Sequence, residues 1–242
     1  MPVHAIVVVL SAFLMFLAQP VAGKVLLPWF GGPAGVWATC LVFFQAGLLA
    51  GYLYSHWLVD RLRPRAQTFV HLALLAASLL LLRFTVIAGP RPAGDGDPTL
   101  RILGLLAAMI GLPFLTLATS TPLVQTWYAR SHGATLPYRL YAFSNAGSLA
   151  ALLAYPVLIE PRLTLRQQTW VWSLAYVVYA ALSAALALAA LRRSPAARTD
   201  NAPIANGAGP VGWKTDVLWV LLAACPSALL VAVTNLLTAD IA

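Results

Sequence analysis

Charge is what this sequence has least of. Asp, Glu, Lys and Arg together make up 9% of its 242 residues, against about 25% in soluble globular domains. Burying an ion in hydrocarbon or in a packed interior is costly, so a chain that meets lipid sheds its ions. A soluble enzyme is thereby excluded. Acid is scarcer than base: Asp+Glu number 7 and Lys+Arg 15, a formal net charge of +8. The basic residues stand at the ends of apolar runs, as Arg61, Arg63 and Arg65 or Arg192 and Arg193 do. A nucleic-acid binder would gather them on one face with aromatics between, so a DNA or RNA partner is not expected. Cysteine occurs only as Cys40 and Cys225, both inside apolar stretches, with no CxxC pair and no zinc spacing. Both read as small core residues, and no metal or other cofactor is implied. Nor does the chain contain HExxH, GxSxG or paired carboxylates at helical spacing. No catalytic residue is assigned.

What the chain has in abundance is apolar length. Hydrophobic residues make up 61% of it, and its mean hydropathy is +0.82. A membrane-crossing helix needs about 20 predominantly apolar residues. The sequence therefore predicts an all-α, polytopic transmembrane helix bundle of about seven spans. These run from about Val3 to Ala22, Ala34 to Val59, Ala66 to Ala88, Leu100 to Val124, Tyr138 to Ile159, Gln168 to Leu191, and Val217 to Ile241. The first has a cleaved signal peptide as its rival, but His4 is the only ionisable side chain before Lys24, so a retained helix is favoured. Pro28, Gly31, Gly32 and Pro33 predict a loop after it, and Pro113 and Pro122 predict breaks in the fourth span. Residues 192–213, rich in Pro, Ala, Asn and Gly, read as a flexible linker. This gives a six-helix bundle over 1–191 and a seventh segment over 214–242. That segment ends on an apolar run containing Asp240, which suggests the N-terminal piece of a longer protein.

Alternate loops set the orientation. Arg61, Arg63, Arg65, Arg130, Arg139, Arg192, Arg193, Arg198 and Lys214 share one side; Lys24, Arg91, Arg101, Arg162 and Arg166 share the other. The positive-inside rule then places the N-terminus in the cytoplasm, with a plasma membrane as the bilayer partner.

Polar residues inside the apolar runs are the candidates for function. Gln19-Pro20 and Lys24 read either as a polar site at a broken helix end or as a lysine snorkelling beside a helix-ending proline. In the second span, Gly47 and Gly51 are spaced GxxxG and predict close helix packing. Gln45 lies mid-span and needs a partner, while Trp37 and His56 lie toward the ends. The densest constellation is Tyr141, Ser144, Asn145 and Ser148, at i, i+3, i+4 and i+7, which share one helix face. Such a stripe is costly against lipid. It either lines a solute pathway or forms an interhelical hydrogen-bond seam. Glu160 and Lys24 end spans on the same side and are expected to pair, since an isolated ion at that depth is costly.

Two long stretches carry a resemblance to a known family. Gln19-Pro20, Lys24, Leu27-Pro28, Gly31-Gly32, Val36-Trp37, Cys40, Phe43-Phe44-Gln45 and Ala50-Gly51-Tyr52 form the first. Tyr141 through Leu149, with Tyr155-Pro156 and Glu160-Pro161, form the second; Ser120 to Gln125 and Thr238 to Ala242 are weaker. Together they resemble bacterial fused major-facilitator/spermidine synthase-like membrane proteins. Asp60-Arg61 with Arg63-Pro64-Arg65 is also loosely similar to the cytoplasmic loop motif of major facilitators, with Pro64 in the customary glycine's place. The resemblance implies a major-facilitator-like half bundle plus a seventh helix, and a partner domain resembling an aminopropyltransferase, absent from this chain or encoded separately. Without such a domain, no aminopropyl transfer is expected here. Three functions compete: a transporter-like module that moves or senses a small solute, such as a polyamine; a membrane anchor for the missing catalytic domain; and a membrane-embedded enzyme. The available acids, Glu160 and Asp240, are few for a polyamine.

Overall fold

A computed structural model describes residues 2–82, 84, 98–132, 138–193 and 212–239. Every regular element among them is helical: α1 (Pro2–Phe30), α2 (Ala34–Arg61), α3 (Pro64–Leu80), α4 (Pro98–Leu106), α5 (Leu112–His132), α6 (Tyr138–Ala154), α7 (Leu165–Arg193) and α8 (Trp213–Ala239). A π-helical turn, Ala107–Gly111, joins α4 to α5 without a break, and a second, Tyr155–Ile159, extends α6. Six of the resulting helices are long and apolar enough to cross a membrane. The described part of α3 is 17 residues long and carries the remaining apolar run. The protein is an all-α, multi-pass membrane protein.

The chain divides into two compact units, Met1–Ser194 and Pro195–Ala242. In the first, α1 is the central helix. It packs along α6 and also against α5 and α7, while α2 lies on α5, and α3 on α7 and α5. Buried side chains therefore cover a wide arc of α1, among them Val7, Val8, Leu14, Leu17, Val21, Val25 and Leu26. A helix that is apolar all round belongs in such a position. In the second unit α8 is one apolar helix whose described side chains are all exposed. Most of the predicted linker, and Asp240, lie outside the described residues.

Two close contacts depend on glycine. A Cβ on Gly51 would stand 2.5 Å from Ala118 Cβ and 3.2 Å from its backbone carbon, so Gly51 lets α2 lie directly on α5. On Gly147 a Cβ would come within 2.6 Å of the Val9 carbonyl oxygen, which sets the α1–α6 approach. Small residues are how membrane helices reach such distances.

The predicted loop after Ala22 is not found where expected. Pro20 and Pro28 both lie inside α1, which continues to Phe30 and ends at Gly31. Gly31, at φ 71°, donates its N–H to the Leu27 carbonyl at 2.9 Å. The left-handed cap of a glycine, and not the proline, ends the helix. Inside a packed bundle the carbonyls that prolines free are tolerated, and neighbouring helices hold the chain straight enough to span. Pro113 and Pro122 likewise leave α4–α5 continuous; Pro113 stands two residues past the end of the π turn, whose wider ring accommodates the missing N–H.

Candidate functional site

On α6, Leu140, Gly147, Ala151 and Tyr155 are buried, and this face meets α1. The polar stripe lies beside it. Tyr141 and Asn145 are exposed, and Ser144 and Ser148 are half-buried. Ser144 shares a hydrogen bond of 3.2 Å with the Thr121 hydroxyl of α5, and Ser148 donates to the Ser144 carbonyl at 3.1 Å. The seam is thus made by the serines, while Tyr141 and Asn145 project from the bundle. Tyr52 of α2 is exposed as well. Gln45, seven residues before Tyr52 and so on the same face of α2, is exposed too.

At the other end of this face, Lys24 Nζ of α1 and a Glu160 carboxylate oxygen at the end of α6 form an ion pair. The residues are 136 positions apart in sequence, and their side chains are 32% and 41% exposed, so the pair is open on one side. Lys24 Nζ also stands 5.7 Å from the centre of the Tyr155 ring, within range of a cation–π interaction. Tyr155 is itself buried. The Trp37 ring lies across Gly23, where a Cβ would approach it to 2.5 Å; Lys24 is the next residue. From Tyr141 to Glu160 the helix rises about 28 Å at 1.5 Å per residue. That is close to the thickness of a bilayer's hydrocarbon core. The polar stripe at 141–148 and the ion pair thus stand toward opposite ends of α6, with exposed Leu149, Leu152, Leu153, Val157 and Leu158 between them.

The other sequence candidates are not gathered here. His56 and Asp60 pair with each other one turn apart on α2, Nε2 to Oδ2 at 3.2 Å, and are well exposed beside exposed Arg61. Gln19 and Gln125 are half-buried on α1 and α5.

Three polar arrangements in the interior carry no obvious sequence signature. The Tyr176 hydroxyl of α7 shares hydrogen bonds with Ser78 of α3 at 2.5 Å and Thr116 of α5 at 2.6 Å. One turn on, the Tyr179 hydroxyl donates to the Thr116 carbonyl at 2.9 Å and pairs with Ser120. Nearer the α2–α3 turn, Gln67 donates to the Leu62 carbonyl at 2.8 Å and accepts from Arg130 Nη1 at 2.9 Å, tying that turn to α5. Between these layers is His71, 1% exposed, its ring 5.7 Å from Trp127 and 6.5 Å from Tyr54. Neither His71 Nδ1 nor the Tyr54 hydroxyl has a hydrogen-bond partner.

Comparison with protein-family models, curated proteins and solved structures returns no match. Function must therefore be argued from this geometry. Among the described residues no cluster of three His, Cys, Asp or Glu could hold a metal ion.

Proposed function

We propose that the chain is a transporter-like membrane module that moves or senses a small solute along the face shared by α1, α2, α5 and α6. One observation carries this reading: an ion pair between α1 and the end of α6, Lys24 with Glu160, left open on one side. Lys24 lies within the first apolar helix, with Glu160 just past the end of another, and ions at such depths commonly face a cavity or a pathway. A partly exposed pair adds little net stability of its own. Polyamines are disfavoured as the solute, since Lys24 already occupies Glu160 and would repel a polycation. The spermidine synthase-like resemblance and a plasma-membrane location, with the α2–α3 turn cytoplasmic, belong to the same proposal.

The test is cysteine accessibility in membrane vesicles. In a Cys40→Ala, Cys225→Ala background, single cysteines replace Tyr141, Ser144, Asn145 and Ser148. Labelling of this stripe by a small water-soluble thiol reagent is expected if the face is solvated. Protection of all four, with loop controls reacting, would overturn the proposal and leave a lipid-facing anchor for a separate domain.

A further inference from the structure

We infer that the Lys24–Glu160 pair is a binding site for a small zwitterion, a molecule carrying an ammonium and an anionic group a few ångströms apart. The inference rests on reading this face as a solute pathway and adds the class of solute.

Charge balance makes the argument. With the site empty, the ammonium of Lys24 and the carboxylate of Glu160 neutralise each other, both partly exposed. A lone cation that engaged Glu160 would displace Lys24 and leave it unpaired. A lone anion would do the same to Glu160. A singly charged solute thus breaks one pair to make one and gains little. A zwitterion avoids the difficulty, because its anionic group takes Lys24 while its ammonium takes Glu160. One internal pair becomes two external pairs, and net charge stays at zero throughout. Such a pair thus selects against singly charged solutes by what each would leave unpaired, the form of selectivity that needs a repulsive element.

The surroundings fit this exchange. The pair is partly exposed and so can be reached. Tyr155 offers a ring already placed against a cation. Trp37, 41% exposed across Gly23, adds a second aromatic surface suited to an ammonium. Arg162, the next cation along the chain, is held elsewhere: its Nη1 donates to the Val157 and Leu158 carbonyls at 3.2 and 3.4 Å. It does not neutralise Glu160 in place of Lys24. Two sources supply this chemistry, a free amino-acid-like solute and the ethanolamine phosphate headgroup of a lipid.

The full chain in phosphatidylglycerol nanodiscs distinguishes them. Thermal unfolding and tryptophan emission are followed against 4-aminobutyrate, glycine and O-phosphoethanolamine, with butylamine and butyrate as singly charged counterparts. A free-solute site gives saturable shifts with a zwitterion, at about tenfold or more lower concentration than with butylamine or butyrate, a difference of one decade in affinity. A lipid site gives no shift with soluble zwitterions but a raised midpoint in discs containing phosphatidylethanolamine. Either response must vanish in Lys24→Met/Glu160→Gln, which keeps the site neutral. Should that variant fail to fold, Lys24→Glu/Glu160→Lys takes its place and must retain the response. Equal shifts from butylamine or butyrate, or none from any zwitterion or lipid, would overturn the inference. A labelled stripe without zwitterion binding removes the ligand class alone; a protected stripe removes the pathway as well.

Discussion

Consider replacing Gly51 by alanine, a single methyl added where α2 crosses α5. In an open helix the change would help, since alanine is favoured over glycine by about 0.8–1.0 kcal/mol. Here the new Cβ would stand 2.5 Å from Ala118 Cβ, with the Ala118 backbone at 3.2 Å. Neither neighbour is a flexible side chain that can swing aside, so the helices must separate. Overpacking of a close-packed contact costs about 1–3 kcal/mol, which exceeds the propensity gain over most of that range. A net loss of about 1 kcal/mol is expected in reversible unfolding from mixed detergent micelles. Gly47→Ala should cost less, because its Cβ would meet the Phe114 ring at 2.9 Å, and a ring can tilt. Gly104→Ala, with nothing within 4 Å, should be neutral or stabilising. The deciding variant is Gly51→Ala/Ala118→Gly, which moves the methyl across the interface and leaves the count of alanines and glycines unchanged. It should return to near wild-type stability. If Ala118→Gly fails to rescue, or if Gly51→Ala is no worse than Gly104→Ala, the close approach is not what holds α2 to α5.

Other outcomes follow from the remaining polar groups. Lys24→Met and Glu160→Gln should each destabilise the bundle, and the double variant should lose less than the sum; strictly additive losses in the same unfolding assay would show that the two ions are not coupled. Tyr176→Phe removes a hydroxyl shared with Ser78 and Thr116, and at about 0.6 kcal/mol per intramembrane bond should lower stability by roughly 1 kcal/mol, whereas an unchanged unfolding curve would show a seam without energetic weight. His71→Leu should leave stability unchanged or raise it, because the imidazole is buried with Nδ1 unpaired. A loss of several kcal/mol there would mean that His71 has a partner in the membrane.

Fold class was legible in the chain because long apolar runs interrupted by turn residues leave few alternatives to spanning helices. The pairing of Lys24 with Glu160 was legible for an electrostatic reason: two lone ions ending spans on one side have few other places to go. The end of α1 was misjudged because Pro28 reads as a breaker, and only tertiary packing shows that the helix runs past it to Gly31. The α6 stripe shows a related limit. Spacing places four polar residues on one face, but it does not say which neighbour the face meets, and Gly147, not the stripe, meets α1. The Tyr176 and Tyr179 network was hidden because serine and threonine in apolar helices often bond only their own backbone. Ser78 does so, donating to the Leu75 carbonyl at 2.7 Å as well as meeting Tyr176.

The π turn at Tyr155–Ile159 fixes the phase of everything beyond it. An α-helix turns about 100° per residue, and a π turn accommodates one extra residue without ending the helix. Had α6 continued as a regular helix, residue 160 would point about 100° away from its present direction, which is that of Lys24. The turn thus works as a vernier between two helix faces. Before it, Leu140, Gly147 and Ala151 keep the register that seats α6 on α1. After it, the register is shifted so that the carboxylate meets the lysine of that same helix. Straightening the turn to a regular α-helix at unchanged length would leave the seat intact and swing Glu160 off its partner, whereas deleting one residue from it would close the turn and keep the carboxylate on the lysine.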